Sequence, residues 1–528
     1  MSAVPKIGWW ATAVVVAFVI ASISSLLSHL SLDLLSEFWS DAYFRHVAFF
    51  SFYQALFSTL LSVFPAVPVS LALYRRRFYG RNLLLKLCSI TLVLPVLVGV
   101  FGIMAIYGNS GLLKHWLSHW DVIRHFSIYG LSGILLAHVF FNLPYASRLL
   151  LQILETIPVE QNQLAAHLGM SAWQRFRWIE WPRLKQSLVP VTGLVFMLCF
   201  TSFATVMTLG GGPKSTTIEL AIYQSIKFDF DLTTGAILAI AQMAFCGGLY
   251  FLFQRNSKNL SVEIETPDRQ VPLVKPGVRL LVWDSVWLVV LGWIIVPPLI
   301  AVLVWGINPK SISVLVQADF WHAIALSVAI AFCAGVVATL FGYFIVVTSR
   351  ALKLKERRKT ADGVELLGSL VLITPSLVIS TGLFLLLRRF ADVYSFSFFI
   401  VVLVNSLMAL PFVIKILSPP MWLAEKQYSL LCASLGMKNW NKFYLVDVKA
   451  SKPALVYAFS LSFLLSLGDL TAISMFGSQD FQTLPMYLYR LLGSYQMDAA
   501  AVVALSMMLF SLFFFALFER VSRLSGRR

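Results

Sequence analysis

Apolar runs long enough to cross a bilayer recur from one end of this chain to the other, and that leaves few folds open. Twelve can be marked: about 9–30, 51–73, 87–108, 130–152, 186–208 and 232–254, then about 281–305, 322–347, 364–387, 396–418, 454–476 and 496–518. About 20 apolar residues span the hydrocarbon as a helix, the form that satisfies its own backbone polar groups. Only 12% of residues are charged, where soluble domains carry about a quarter. The expected fold is an all-α polytopic membrane protein with about 12 transmembrane helices. The first run is too long for a signal peptide and lacks a convincing small-residue cleavage site, so it reads as a retained helix.

The net charge of +16 invites a nucleic-acid reading, but its distribution opposes one. Basic residues gather in alternate loops, such as Arg75, Arg76, Arg77, Arg81 and Lys86, or Arg350, Lys353, Lys355, Arg357, Arg358 and Lys359. The intervening loops are sparse, with Arg45, then Lys114 and Arg124, then Lys214 and Lys227. By the positive-inside rule the rich set faces the cytoplasm, which puts both termini there. The five cysteines are scattered without metal-ligand spacing, so neither disulfide, zinc nor cofactor is expected.

One polar segment occurs twice. Shifting 158–190 by 267 positions lays it on 425–457: Leu168-Gly169-Met170 falls on Leu435-Gly436-Met437, Trp173 on Trp440, Phe176 on Phe443 and Glu180 on Asp447. Pro144 falls on Pro411, and Thr217 through Tyr223 corresponds to Thr483 through Tyr489 at a shift of 266. The chain therefore divides into a first six-helix half, 1–254, carrying a loop at 153–185, and a second, 280–528, carrying a loop at 419–452. The polar, proline-bearing stretch 255–279 joins them as a flexible cytoplasmic linker. Equal helix number and the same cytoplasmic start make this a parallel repeat, which implies a pseudo-two-fold axis along the membrane normal and a transport path between the halves.

The repeated loop is built from local signals. Pro158 suits the start of a helix, and Ser418-Pro419 offers the same start in the second copy. Gly169 and Gly436 permit the positive φ that reverses the chain. Ser171 with Gln174 makes a capping box for a second short helix, whereas Lys438 stands in the second copy. Trp173, Phe176 and Ile179 then form an apolar stripe that a water-facing loop carries only if it packs on something. An amphipathic pair lying on the membrane surface is one reading; a docking element for a cytoplasmic subunit, once per half, is the other.

The loop resembles the EAA signature of ABC importer permeases: Gln163, Leu164, Ala165 and Gly169, then Phe176, Ile179 and Pro182. The second copy reads Leu430, Leu431, Cys432 and Gly436, then Phe443 and Val446, with both acidic positions lost and Lys449 where the proline would be. The resemblance implies coupling helices gripped by two copies of a cytoplasmic ABC ATPase, through Gln163, Ala165, Gly169, Met170 and Trp173 and through Gly436, Met437 and Trp440. It also implies a periplasmic substrate-binding protein. The length matches fused double permeases. Within these, 141–152, 160–170, 196–224 and 228–232 are similar to the permeases of bacterial thiamine uptake; fused ferric-iron permeases share the plan. Thiamine and its phosphate esters are the substrate implied, on resemblance alone.

Other motifs weigh less. GGGPKST (210–216) fails as a phosphate loop, because Pro213 stands where a glycine must and no strand precedes it. Asp469 lies in an apolar run, where an ionisable residue defaults to a functional hypothesis; substrate contact competes with gating or helix packing. Ser202 aligns with Asp469, and Thr205 follows one turn later. His138 and Asn142, on one helix face, either line a polar path or bond neighbouring helices beside Pro144. No catalytic constellation occurs within one half, so the chain reads as a transport subunit rather than an enzyme. A proton-coupled carrier is the rival class, and it leaves the two docking loops unexplained.

Overall fold

The computed structural model describes residues 6–29, 40–108, 111, 127–256, 277–389, 392–437 and 439–526. Lys114, Arg124, Lys438 and most of the linker lie outside the described residues. Most of those described are helical, and no strand occurs among them. Ten continuous helices among them are long and apolar enough to cross a membrane, in agreement with ten of the twelve marked runs.

The remaining two runs, each the third of its half, are broken. At 87–108 the helices Arg81–Val93 and Val96–Tyr107 meet at Pro95. Leu94 and Pro95 are extended, with ψ of 128° and 137°. At 364–387, helix Arg358–Gly368 gives way to Ser376–Leu387, whose N-cap is Pro375 with ψ of 151°. Proline has no N–H to donate and drives its predecessor from the helical region, which the apolar count cannot register.

The residues form two compact units, one drawn from Met1–Glu37, Ala221–Ala244 and Asn308–Arg528, the other from Phe38–Leu220 and Phe245–Ile307. These units cut across the halves 1–254 and 280–528, because each half's first helix packs in the unit built mainly from the other half. Helix Ile7–Leu27 lies on Ala318–Leu354 and Ser376–Leu387. Gly8 donates its N–H to Thr348 Oγ1 at 3.1 Å, and the Ser22 hydroxyl donates to the Ile379 carbonyl at 3.1 Å. Helix Val278–Gly306 lies on Ala42–Arg75 and Val96–Tyr107, with Arg76 Nε 2.7 Å from Asp284 Oδ2. Gly102 admits the Pro298 carbonyl where a Cβ would overlap it. Apolar pattern alone cannot specify such pairings, since every face of these helices is greasy.

The repeat also persists as paired contacts. Ser51, on the long helix Ala42–Arg75, accepts the Ile218 N–H at 2.8 Å and so caps helix Ile218–Lys227. Ser327, on Ala318–Leu354, accepts the Leu484 N–H at 2.7 Å and caps Leu484–Gly493. Each repeat thus carries one copy of the same side-chain cap.

Candidate functional site

In the first loop, helix Leu131–Leu154 ends in a turn and Pro158 begins helix Val159–His167 with φ −57° and ψ 141°. That helix closes on Gly169 at φ +63°. The Met170 N–H reaches back to the Ala165 carbonyl at 3.0 Å and the Gly169 N–H to Ala166 at 3.1 Å. This 6→1 and 5→2 pair satisfies carbonyls that a helix end otherwise leaves orphaned. Ser171 and Gln174 then form both hydrogen bonds of the expected capping box, at 2.8 and 3.3 Å. A single π-helical turn, Phe176–Glu180, leads into helix Trp181–Phe200.

The second loop repeats the turn but not the start. Gly436 has φ +64°, and the Met437 N–H bonds the Cys432 carbonyl at 2.9 Å. A π-helical turn again follows, at Phe443–Val448, after the short helix Asn439–Lys442 that holds Trp440. The expected new start at Ser418-Pro419 is absent: helix Ser397–Ser434 runs unbroken through Pro411, Pro419 and Pro420. The residue equivalent to Pro158 is Glu425, so nothing at that register stops the helix. The first loop is set off from its membrane helix by a turn; the second is that helix's continuation.

Both loops present bulky apolar side chains to solvent. Leu164, Leu168 and Trp173 are 59%, 68% and 65% exposed. Their repeat partners Leu431 and Leu435 are 53% and 65% exposed. By contrast Ala165 is buried, Gln163 and Met170 are half-buried, and Phe176 packs at a tilt against Trp173 and Trp181, with ring centroids 5.5 and 5.8 Å apart. The exposed face is thus made by the leucines of the first arm together with Trp173, rather than by the Trp173, Phe176 and Ile179 stripe. Leucines one turn apart, recurring at the same register in both copies, carry that signal in the sequence.

Each loop is also tied down by a buried ion pair. Arg75, at the end of helix Ala42–Arg75, pairs with Glu180 in the first π-helical turn. In the second repeat Arg350 Nη1 lies 2.8 Å from Asp447 Oδ1 and 3.4 Å from Glu425, which also takes the Lys442 ammonium at 2.7 Å. The sequence presents these arginines only as topological charges; the alignment of Glu180 with Asp447 is the signal in it that points to partners.

The candidate path residues sit apart from the loops. Asp469 accepts the backbone N–H groups of Thr471 and Ala472 at 3.2 and 3.0 Å, capping the short helix Thr471–Phe476. Its repeat partner Ser202 bonds the Cys199 carbonyl instead, at 2.9 Å, and leaves helix Phe203–Leu209 without a side-chain cap. Thr205 is buried in that helix. Asn142 donates to Cys199 Sγ at 3.3 Å, and His138 Nδ1 lies 2.7 Å from Ser58 Oγ, so both bond neighbouring helices.

This geometry yields a test of Asp469. An asparagine keeps a side-chain acceptor and caps about as well, whereas alanine loses about 0.5–2 kcal/mol. Asp469→Asn should retain most transport and Asp469→Ala should lose most of it. Equal loss in both variants, measured as initial uptake rates, would mean that the charge itself is used.

The fold and paired loops define a polytopic membrane subunit duplicated within one chain. A family model described as "Binding-protein-dependent transport system inner membrane component" matches residues 58–259, which contain the first loop. The chain is 44% identical over 530 residues to the thiamine transport system permease protein ThiP of Escherichia coli (strain K12), covering 98% of this chain and 96% of that protein. It is 41% identical over 499 residues to ThiP of Haemophilus influenzae, covering 93% and 92%. The sulfate transport system permease protein CysW of Synechocystis is 27% identical over 195 residues, 36% of this chain. The chain belongs to the binding-protein-dependent transport system inner membrane components, the permease subunits of ABC importers. It is a transport subunit of the inner membrane; ATP hydrolysis is supplied by a separate chain, and a substrate-binding protein is its other partner.

Proposed function

We propose that this permease carries thiamine and its phosphate esters from a periplasmic binding protein into the cytoplasm. Full-length similarity to proteins named as thiamine permeases supports the substrate. The observation that carries the coupling mechanism is the exposed leucine face repeated on the two glycine turns. Two copies of the ATPase each take one loop, contacting the turns at Gly169-Met170 and Gly436-Met437 and the faces around Trp173 and Trp440, with Gln163 and Ala165 in the first arm. Both termini, the linker and both loops lie in the cytoplasm. Closure of the ATPase dimer draws the loops together and moves the two repeats, 1–254 and 280–528, so that the path past Asn142, Ser202, Thr205 and Asp469 opens to one side at a time. The ion pairs at Arg75 and Arg350 make each loop move with its long membrane helix.

Cells unable to synthesise thiamine should need this chain, its ATPase and its binding protein for growth on low thiamine. Deleting the chain should reduce thiamine uptake from low external concentrations to background. Unchanged thiamine uptake, with loss of ferric-iron uptake instead, would overturn the substrate assignment.

A further inference from the structure

Helix Thr471–Phe476, which Asp469 caps at one end, is held at its other end by a residue from the opposite repeat. The Lys227 ammonium donates to the Met475 carbonyl at 2.9 Å, and the buried Ser397 hydroxyl donates to the Phe476 carbonyl at 2.9 Å. Five of the helix's six residues are buried. Lys227 ends helix Ile218–Lys227 of the first repeat, and the segment Ala221–Ala244 belongs to the compact unit that holds the second repeat. A lysine beside water ordinarily extends its charge outward. This one is drawn inward, and burial pulls its pKa below the usual lysine value. The contact also breaks the internal symmetry. The residue equivalent to Lys227 at the shift of 266 is Gly493, which has no side chain to repeat the bond.

From this geometry we propose that Lys227 is a positioning residue for transport: a single latch by which the first repeat holds the short helix behind Asp469 in the second. A cation on the last carbonyls of a helix and a carboxylate on its first amides both complement its dipole. The helix is therefore held at both ends, by Asp469 and Ser397 of its own repeat and by Lys227 of the other. Releasing Lys227 removes this hold of the first repeat while leaving the Asp469 cap and the Ser397 bond in place, so the latch links movement of one repeat to the path segment of the other. The inference rests on the proposal that Asp469 borders the path, but its test does not depend on what is carried.

The test is hydrogen exchange, read by mass spectrometry, on the complete transporter with its ATPase and binding protein. Lys227→Met should speed exchange of the Thr471–Phe476 amides about tenfold or more, as expected for losing one hydrogen bond to a charged group. Amides of the matching helix Phe203–Leu209 should not change. Lys227→Arg, which keeps a charged donor, should restore slow exchange and transport. In the wild type, ATP with loaded binding protein should raise exchange in 471–476; in Lys227→Met it should already be high and rise no further. Exchange in Lys227→Met equal to wild type, or Lys227→Arg behaving like Lys227→Met, would overturn the latch.

Discussion

Replacing Gly169 by aspartate is expected to abolish transport while leaving the chain inserted in the membrane. At φ +63° most side chains cost about 1–2 kcal/mol in the left-handed region and aspartate less, so the main harm from aspartate is the charge it adds to a face made of exposed leucines. No atom lies within 4 Å of a Cβ built there, so the damage comes from backbone strain and from the surface presented, not from a clash inside the chain. Gly436, at φ +64° and equally open, should respond in the same direction. Gly169→Asn separates the two causes, since asparagine tolerates this conformation without charge. It should keep transport measurable where valine does not. The readouts are uptake rate and the amount of ATPase that copurifies.

The second large effect is expected at the base of the loops. Arg75→Met should lower stability by about 3–5 kcal/mol, because it leaves the buried Glu180 carboxylate without its partner. Arg75→Met with Glu180→Gln should recover the greater part, since removing both charges removes the unpaired one. Thermal unfolding in detergent, compared across the two single variants and the double, measures this directly. If the double variant is no better than Arg75→Met alone, the pair is not what holds the loop.

What could be read from the chain and what could not divides along range. Spans, the glycine turns at 169 and 436 and the Ser171–Gln174 capping box depend on neighbouring residues, and each stood in the sequence. Proline is a less dependable signal. Pro158 does start a helix, but Pro419-Pro420 does not, because proline's φ is compatible with a helix and the register equivalent to Pro158 holds Glu425. Pro95 and Pro375 break spans that hydropathy alone presents as continuous. Long-range choices are not legible: the packing of Ile7–Leu27 on Ala318–Leu354 rests on Gly8, and its packing beside Ser376–Leu387 on Ser22 and Gly382, three small residues in a chain full of them. Asp469 stood out as a charge, yet its partners are backbone amides two and three residues on, a bond that needs the helix to restart there.

The central claim is that the two loops are the surfaces on which the ATPase docks. Single cysteines at positions 168 and 435, exposed in this chain, test it in right-side-out and inverted membranes, with and without the ATPase. The account predicts labelling only from the cytoplasmic side, and protection of both positions when the ATPase is added back. Labelling from the outside, or cytoplasmic labelling that the ATPase leaves unchanged at both positions, would contradict it.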